Sequence, residues 1–362
     1  MTQAERRRYA RHLSLPGFGE AGQAKLKAAR VLIVGAGGLG SPASLYLAAA
    51  GVGTIGLVDF DAVDETNLQR QILYGTGDVG KPKLDAAASR LRDVNPLVEI
   101  ERIDRPFGSA NALALVRSFD VVVDGTDNFP TRYLVNDACV MTGTPNVYGS
   151  VARFEGQAAV FAAPGGPCYR CLHPEPPPAD LIPNCADGGV LGVLPGLIGT
   201  IQATEAIKLI TGIGEPLVGR LLLYDALTMR VRQLTLPRDP DCPACSDRAT
   251  IRGLVAYEPA CETPARSLGE MTADQLRAWR SEGREHALLD VREPSEHAVS
   301  HIDGAVLVPL GSLARSFDRL PRDRPVVVYC RSGARSARAV AQLRSAGFDA
   351  YNLAGGILAW ER

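Results

Sequence analysis

Lysine is scarce in this chain. Of 39 basic residues only 5 are lysine and 34 are arginine, a bias we read as genome base composition rather than a binding device. Neither sign of charge dominates: 39 basic against 40 acidic residues leave a net charge of −1. That excludes a general pull toward nucleic acid or an anionic membrane. The opening MTQAERRRYARHL is charged and has no apolar h-region, so a secretory signal is not expected. No stretch reads as a comfortable membrane span. The most apolar one, residues 190–210, carries Pro195, Gln202, Glu205 and Lys208 and reads as a buried loop and helix. Internal repeats and low-complexity tracts are absent. Eight cysteines in 362 residues, with no export signal, do not make a disulfide framework. The expected compartment is a reducing cytoplasm, where cysteines are metal ligands, nucleophiles or core residues.

What is present reads as two α/β domains; 362 residues are enough for two cores. Residues 29–41, ARVLIVGAGGLGS, form a buried strand, a glycine turn and a helix start. Further strands are expected at 53–61, 98–104 and 119–128, with helices at 41–51 and 81–95 between them. Strands alternating with helices predict a parallel, doubly wound, Rossmann-like sheet. Residues 147–161 alternate more like antiparallel strands. The texture changes around 237–266. We place the first domain at 1–248, a linker at 249–266 and a smaller α/β domain at 267–362. The second domain has expected strands at 286–293, 301–309 and 324–330 and a helix at 336–347.

The glycine turn GAGGLG supplies Gly35, Gly37, Gly38 and Gly40 in a G-x-G-x-x-G pattern. Backbone N–H groups and a helix N-terminus there suit a phosphate. Asp59 ends the next strand, where a ribose-binding acid would sit. These features alone fit a dinucleotide-dependent dehydrogenase equally well, or a tight turn without a ligand. The following residues tip the balance. Asn67, Arg70, Gln71, Lys81 and Lys83 lie within 64–84, and Asp127 and Asn128 follow the fourth strand. Hydride transfer has little use for so much positive charge. A triphosphate needs it, because charge must be neutralised as pyrophosphate leaves, and a carboxylate such as Asp127 can hold Mg²⁺.

Five motifs, RYARHL (8–13), GAGGLGS, DFDAVDETNLQRQ (59–71), GKPKL (80–84) and DGTDNFPTRYLVND (124–137), resemble the adenylating domain of the MoeB/ThiF family, bacterial relatives of ubiquitin-activating enzymes. The resemblance covers 8 to about 248. It implies that Gly38 and Asp59 hold the adenosine and ribose of ATP, that Asn67, Arg70 and Lys83 hold the phosphates, and that Asp127 binds Mg²⁺. It also implies a homodimer, with Arg11 reaching into the partner's site. The implied partner is a small ubiquitin-like sulfur carrier ending in Gly-Gly, of the MoaD, ThiS or CysO kind. Its carboxylate becomes an acyl-adenylate, which gives sulfur a carbon to attack.

The knuckles CYRC and CPAC offer Cys168, Cys171, Cys242 and Cys245, four thiolates for a closed structural Zn²⁺ site. About 70 residues separate them, so the fold must bring them together. Cys185, in PNCADGGVLG, reads either as a small buried residue or, by the same resemblance, as a second nucleophile that some relatives use and others do not. Cys139 and Cys261 read as core and linker.

In YCRSGARSA, an apolar strand gives Cys330 and then a loop entering a helix. Inward N–H groups, the helix dipole, Arg331 and Arg335 all favour a thiolate. Arg335 follows Cys330 by five positions, one residue shorter than the C-x₅-R of cysteine phosphatases, and a shorter cradle suits a single outer sulfur. The loop, LLDVREPSEHAVSHIDGAVLVP (288–309) and NLAGGILAW together resemble rhodanese domains over 267–362. That resemblance makes Cys330 a persulfide carrier, loaded from thiosulfate or a cysteine desulfurase persulfide. It gives Asp290 and Arg292 a fold-holding role. The whole chain resembles fused adenylyltransferase–sulfurtransferases that make a carrier thiocarboxylate for molybdenum-cofactor or other sulfur pathways. Two other readings are a rhodanese part acting independently, as a detoxifying or phosphatase module, and a zinc-stabilised docking scaffold without catalysis.

Overall fold

After Arg30, VLIV is apolar at every position because both faces of the strand are covered, as in a central parallel strand. This strand, β1 (Arg30–Val34), sends Val31 and Ile33 into one buried cluster and Leu32 and Val34 into another across the sheet. The computed structural model describes residues 1–176, 189–255 and 269–361. The chain forms two units, 1–257 and 258–362, each with its own sheet. The linker expected at 249–266, together with Cys185 and Cys261, lies largely or wholly outside the described residues.

The first unit adds β2 (Thr54–Val58), β3 (Glu99–Ile103), β4 (Val121–Asp124), β5 (Asn146–Ala152), β6 (Glu155–Phe161), β7 (Arg220–Asp225) and β8 (Arg230–Thr235). Their order is β3-β2-β1-β4-β5-β6-β7-β8. The first five run parallel, and β5 to β8 pair antiparallel, as the alternation at 147–161 predicts. Four helices matter for the site: α1 (Gly40–Ala50), α2 (Lys83–Val94), α3 (Phe129–Thr142) and α4 (Val193–Thr211). Strand order reverses between β1 and β4, and in such sheets a crevice opens at the carboxyl ends of the strands there. The register pairs Val34 with Asp124, so the loops after both strands leave from the same level.

By length and composition α4 could cross a membrane. It is a core helix instead. Leu194, Ile198, Ala203 and Ala206 are buried, the Gln202 amide donates to the Asp124 and Val147 carbonyls at 2.7 and 2.9 Å, and the Glu205 carboxylate accepts from Leu217 N–H at 2.7 Å.

The second unit is an all-parallel sheet of β9 (Glu270–Met271), β10 (Ala287–Asp290), β11 (Val306–Leu307), β12 (Val326–Tyr329) and β13 (Ala350–Leu353), ordered β11-β10-β12-β13-β9. The strand expected over 301–309 is shorter. Gly304 takes a left-handed φ of 80°, and Ala305 N–H turns back to Ile302 O, so only Val306 and Leu307 pair. The helices α5 (Pro294–Val299), α6 (Ala334–Ser345) and α7 (Gly356–Trp360) complete this site region.

Candidate functional site

The glycine loop closes on the turn after β4. Gly35 has φ 95°, and a Cβ there would lie 2.9 Å from Gly125 O; one on Gly125 would lie 2.8 Å from Gly35 O. Only glycine fits at either position. The loop is then fastened from outside. Ala36 N–H donates to the Asp59 carboxylate at 2.9 Å, and Tyr74 O–H donates to Ala36 O at 2.9 Å. Tyr74 carries no signal in the sequence that would mark it for this role.

Most of the nucleotide-site residues expected from sequence gather around this loop. Gln71 is buried; its Nε2 lies 3.7 Å from where a Gly37 Cβ would be, and its Oε1 has no hydrogen-bond partner among the described residues. The Arg70 stem lies 3.6 Å from the corresponding point on Gly38, and its guanidinium donates to Thr66 O at 3.1 Å. Asn67 closes a capping turn with Asp64. Lys83 opens α2 and is buried, with its amine 2.9 Å from Asp61 and 3.9 Å from Asp59. Two carboxylates thus hold a cation at a helix start, where the macrodipole disfavours it. Gly40 begins α1, and Lys81 pairs with Asp78 outside the group. Asp127 and Asn128 are exposed just past β4, and Asn128 caps α3 by accepting from Thr131 N–H at 2.9 Å. Arg11 is exposed on the short helix Ala10–Leu13; the resemblance assigns it to a partner's site, which a single chain does not contain.

The turn that carries Asp127 is fixed by two residues that sequence reasoning missed. Asp124 accepts from Thr126 N–H and O–H at 3.0 and 2.6 Å, and Arg132 donates to Thr126 O at 3.2 Å. Arg132 is buried among the Phe129, Tyr148 and Tyr169 rings, 5.1–6.0 Å from their centres. Full burial pushes the Asp124 carboxyl above the usual carboxylate range; the Arg132 charge and the Thr126 bonds oppose the shift without overcoming it.

The four knuckle cysteines do meet. Their sulfurs all lie within 4.8 Å of one another, with Cys168–Cys242 and Cys171–Cys245 at 3.5 Å. A tetrahedron of Zn–S bonds has S···S edges of about 3.8 Å, so the cluster fits a structural Zn²⁺ site. Backbone N–H groups of Cys168 and Asp239, each 3.4 Å from Cys171 Sγ, favour its thiolate. The first knuckle is tied to α3 by a buried fork, Arg170 to Asp137 at 2.7 and 2.9 Å. Tyr169 N–H also donates to Asn136 Oδ1 at 2.7 Å. Replacing Asp137 with alanine would remove the buried carboxylate that forks onto Arg170. We expect a loss of about 3–5 kcal/mol, read as a lower urea midpoint.

In the second unit Cys330 is buried directly after β12. Its Sγ accepts from Gly333 N–H at 3.2 Å and Ser336 O–H at 3.4 Å. Gly333 turns into α6 with φ 100°. The loop is clasped from behind by α7: Ile357 N–H donates to Cys330 O at 2.8 Å and Leu358 N–H to Arg331 O at 3.2 Å. A Cβ on Gly356 would lie 2.4 Å from Cys330 O, and one on Gly355, at φ 74°, 2.7 Å from Ala359 Cβ, which explains the paired glycines of LAGG. Arg331 is exposed. Arg335 departs from expectation: its guanidinium forks onto Glu296 at 2.7 and 2.7 Å, so its charge is matched rather than left to the loop.

Asp290 and Arg292 form a buried pair at 2.7 Å, and His297 Nδ1 lies 2.9 Å from the same carboxylate. Burial raises the Asp290 pKa, but hydrogen bonds from Arg292 and His297 outweigh it, and the net shift is downward. A depressed folded pKa means stability that is present above the unfolded value, about 3.9, and lost as pH falls through the folded value. Thermal unfolding of the full chain should therefore lose stability over that acid window. An Asp290→Asn variant should show a shallower slope there; an unchanged slope would remove Asp290 from the account.

These arrangements meet their counterparts in known proteins. Residues 9–244 match the ThiF family model, and residues 272–362 match the rhodanese-like domain model. The chain belongs to the ThiF family. It carries a C-terminal rhodanese-like domain. It is 49% identical over its whole length to a Mycobacterium tuberculosis protein named probable adenylyltransferase/sulfurtransferase MoeZ, covering 94% of that protein. Over 72% of the chain it is 53% identical to the sulfur carrier protein adenylyltransferase of Thermus thermophilus, covering 98% of it. A crystal structure of E. coli MccB with ATP superposes with TM-score 0.58 at 26% identity, covering 66% of this chain and 74% of that one. In the first unit the glycine loop, Asp59 with Lys83, and the turn before Asp127 lie together. The Cys330 loop belongs to the second unit.

Proposed function

We propose that this chain adenylylates the C-terminal glycine carboxylate of a small ubiquitin-like sulfur-carrier protein and then replaces AMP with sulfur carried on Cys330. In kind it is an enzyme, an adenylyltransferase and sulfurtransferase that uses ATP. The observation that carries the reading is one chain holding both a glycine loop lined by a buried lysine and a helix-opening cysteine loop. The names of the two relatives support the pairing.

The chemistry assigns roles. The N–H groups of Gly35–Gly40 and the start of α1 receive phosphate oxygens. Asp59, already bonded to Ala36, sits where a ribose hydroxyl would be received. Asn67, Arg70, Gln71 and Lys83 face the phosphates, and Lys83 exchanges its Asp61 partner for them. Asp127, beside Asn128, would hold Mg²⁺, which when bound neutralises phosphate charge. The carrier carboxylate attacks the α-phosphorus and pyrophosphate leaves. The outer sulfur of a Cys330 persulfide then attacks the carbonyl carbon and AMP leaves. The product is an acyl disulfide between carrier and Cys330. A second thiol must attack the Cys330 sulfur, breaking its S–S bond so that the thiocarboxylate leaves and a disulfide to Cys330 forms; Cys185 is our candidate, and an external thiol reduces that disulfide for the next turnover. Arg331 stands over the loop as its exposed cation. Arg11 supports a homodimer in which each copy completes the other's site. We infer a cytoplasmic location, which a thiol nucleophile that must stay reduced supports.

ATP–pyrophosphate exchange with a small protein ending in Gly-Gly tests this reading. Exchange should depend on the carrier. Exchange that is absent with every such carrier, or that proceeds equally without one, would contradict it.

Removal of metal gives a separate test. Chelation under denaturing conditions should release one zinc per chain, and Cys242→Ser should lose zinc and lower the melting temperature of the first unit.

A further inference from the structure

The four sulfurs of the knuckle cluster are not equally protected. Cys168 and Cys242 are buried, whereas Cys171 and Cys245 are only partly covered. Each kind forms its own close pair, Cys168–Cys242 and Cys171–Cys245, both at 3.5 Å. The cluster therefore has one buried edge and one edge that solvent reaches.

Arg238 attends the second edge. It lies just before the CPAC knuckle, and its guanidinium donates to the Cys245 carbonyl oxygen. The next residue, Asp239, turns its N–H onto Cys171 Sγ at 3.4 Å, so this segment crosses both partly covered cysteines. A hydrogen bond to the Cys245 sulfur raises the Arg238 pKa, and the charges of Cys245, Asp247 and Cys171 add to the shift against the effect of burial. Asp247 does not draw the guanidinium away: it lies 3.9 Å off and is fully solvated. Arg248, also beside the second knuckle, faces Asp241 at 3.6 Å instead and is 87% exposed.

Zinc binding turns neutral thiols into thiolates and releases their protons. Four thiolates around one Zn²⁺ leave the loaded cluster with net negative charge. A cation beside it favours that loaded state and does little for the empty, protonated one. Positive charge at a bound sulfur also makes it less basic and so a weaker nucleophile. The buried pair has packing to keep reagents out; the open pair has Arg238.

We propose that Arg238 is a working part of the zinc site, raising its affinity for Zn²⁺ and shielding the Cys171–Cys245 edge from electrophiles. This rests on the reading of the four cysteines as a zinc site.

The test uses the zinc-loaded full chain. Arg238→Gln keeps an N–H donor for the Cys245 carbonyl and removes the charge. Equilibrium competition with a chromogenic chelator should show Zn²⁺ affinity lower by about three- to tenfold, the effect of one unit charge beside a partly solvated site. The gap to the native chain should narrow in molar salt, which screens charge; a gap left by a lost structural bond would not. N-Ethylmaleimide, a neutral electrophile, should form its first knuckle adducts at Cys171 and Cys245, faster in the variant by about the same factor. Arg248→Gln should match the native chain in both measurements. Native affinity and labelling in Arg238→Gln, a gap that salt leaves untouched, or an equal loss in Arg248→Gln overturns the proposal. Metal analysis separates the two levels. If the native chain holds zinc on these cysteines, only the role of Arg238 has failed; if it holds none, the zinc reading falls and the proposal with it.

Discussion

Replacing Cys330 with alanine is expected to abolish thiocarboxylate formation while leaving carrier-dependent ATP–pyrophosphate exchange unchanged. The substitution removes one buried sulfur. Gly333 N–H and Ser336 O–H lose their acceptor, but the loop is also clasped by Ile357 and Leu358, which bond the Cys330 and Arg331 carbonyls. A single-atom deletion in such a site costs about 1 kcal/mol, too little to unfold a domain with its own core of Val326, Val328, Leu343 and Phe348. The two centres lie in separate units with separate sheets. Loss of the sulfur step with exchange intact would therefore assign the two chemistries to the two units. Sulfur transfer persisting with thiosulfate as the only donor would show that another thiol carries it. Loss of both activities would mean that Cys330 serves something other than sulfur transfer alone.

Replacing Lys83 with alanine should lower the exchange rate by about 10²- to 10³-fold, the usual cost of removing one preorganised group that stabilises developing charge. The argument is geometric. Lys83 is buried at the start of α2, and its amine is aimed at Asp61 and Asp59 beside the glycine loop. A lysine kept for stability alone has little reason to be there: its nearer partner Asp61 is 58% exposed, and Asp59, 3.9 Å away, already accepts from the Ala36 and Asp61 N–H groups. The variant should accordingly fold, with a melting temperature near that of the native chain. Lys83→Arg should not restore full activity, because a broad fork does not replace a compact ammonium in a buried slot. If exchange survives in Lys83→Ala while stability falls, the lysine is structural and the phosphate role belongs elsewhere.

The parts of this molecule that were legible in its sequence are those encoded locally. RVLIV followed by GAGGLG states a buried strand and a glycine turn in eleven consecutive residues, and the structure adds the reason, Gly35 and Gly125 meeting backbone to backbone. The two C-x-x-C knuckles announce a metal site from spacing alone, although only the fold shows how residues about 70 apart converge. Pairs contributed by different elements were not legible. Arg132 holds the Asp127 turn from α3, Asp137 holds Arg170 across 33 positions, and Glu296 takes Arg335 across 39. In sequence each of these is an unremarked charge. By its spacing from Cys330, Arg335 reads as a cation for that loop, and only the position of α5 reveals the Glu296 contact. The shortened β11 has a local cause instead: Gly304, at φ 80°, turns the chain, so pairing begins only at Val306.

The most direct measurement is the mass of a carrier protein ending in Gly-Gly after incubation with this chain, ATP and a persulfide donor. The account predicts that oxygen is replaced by sulfur at the carrier's C-terminal carboxyl group, only when ATP is present and only when Cys330 is intact. An unmodified carrier, despite carrier-dependent exchange and a sulfur-loaded Cys330, would contradict it, because two working halves would then not be joined in one reaction.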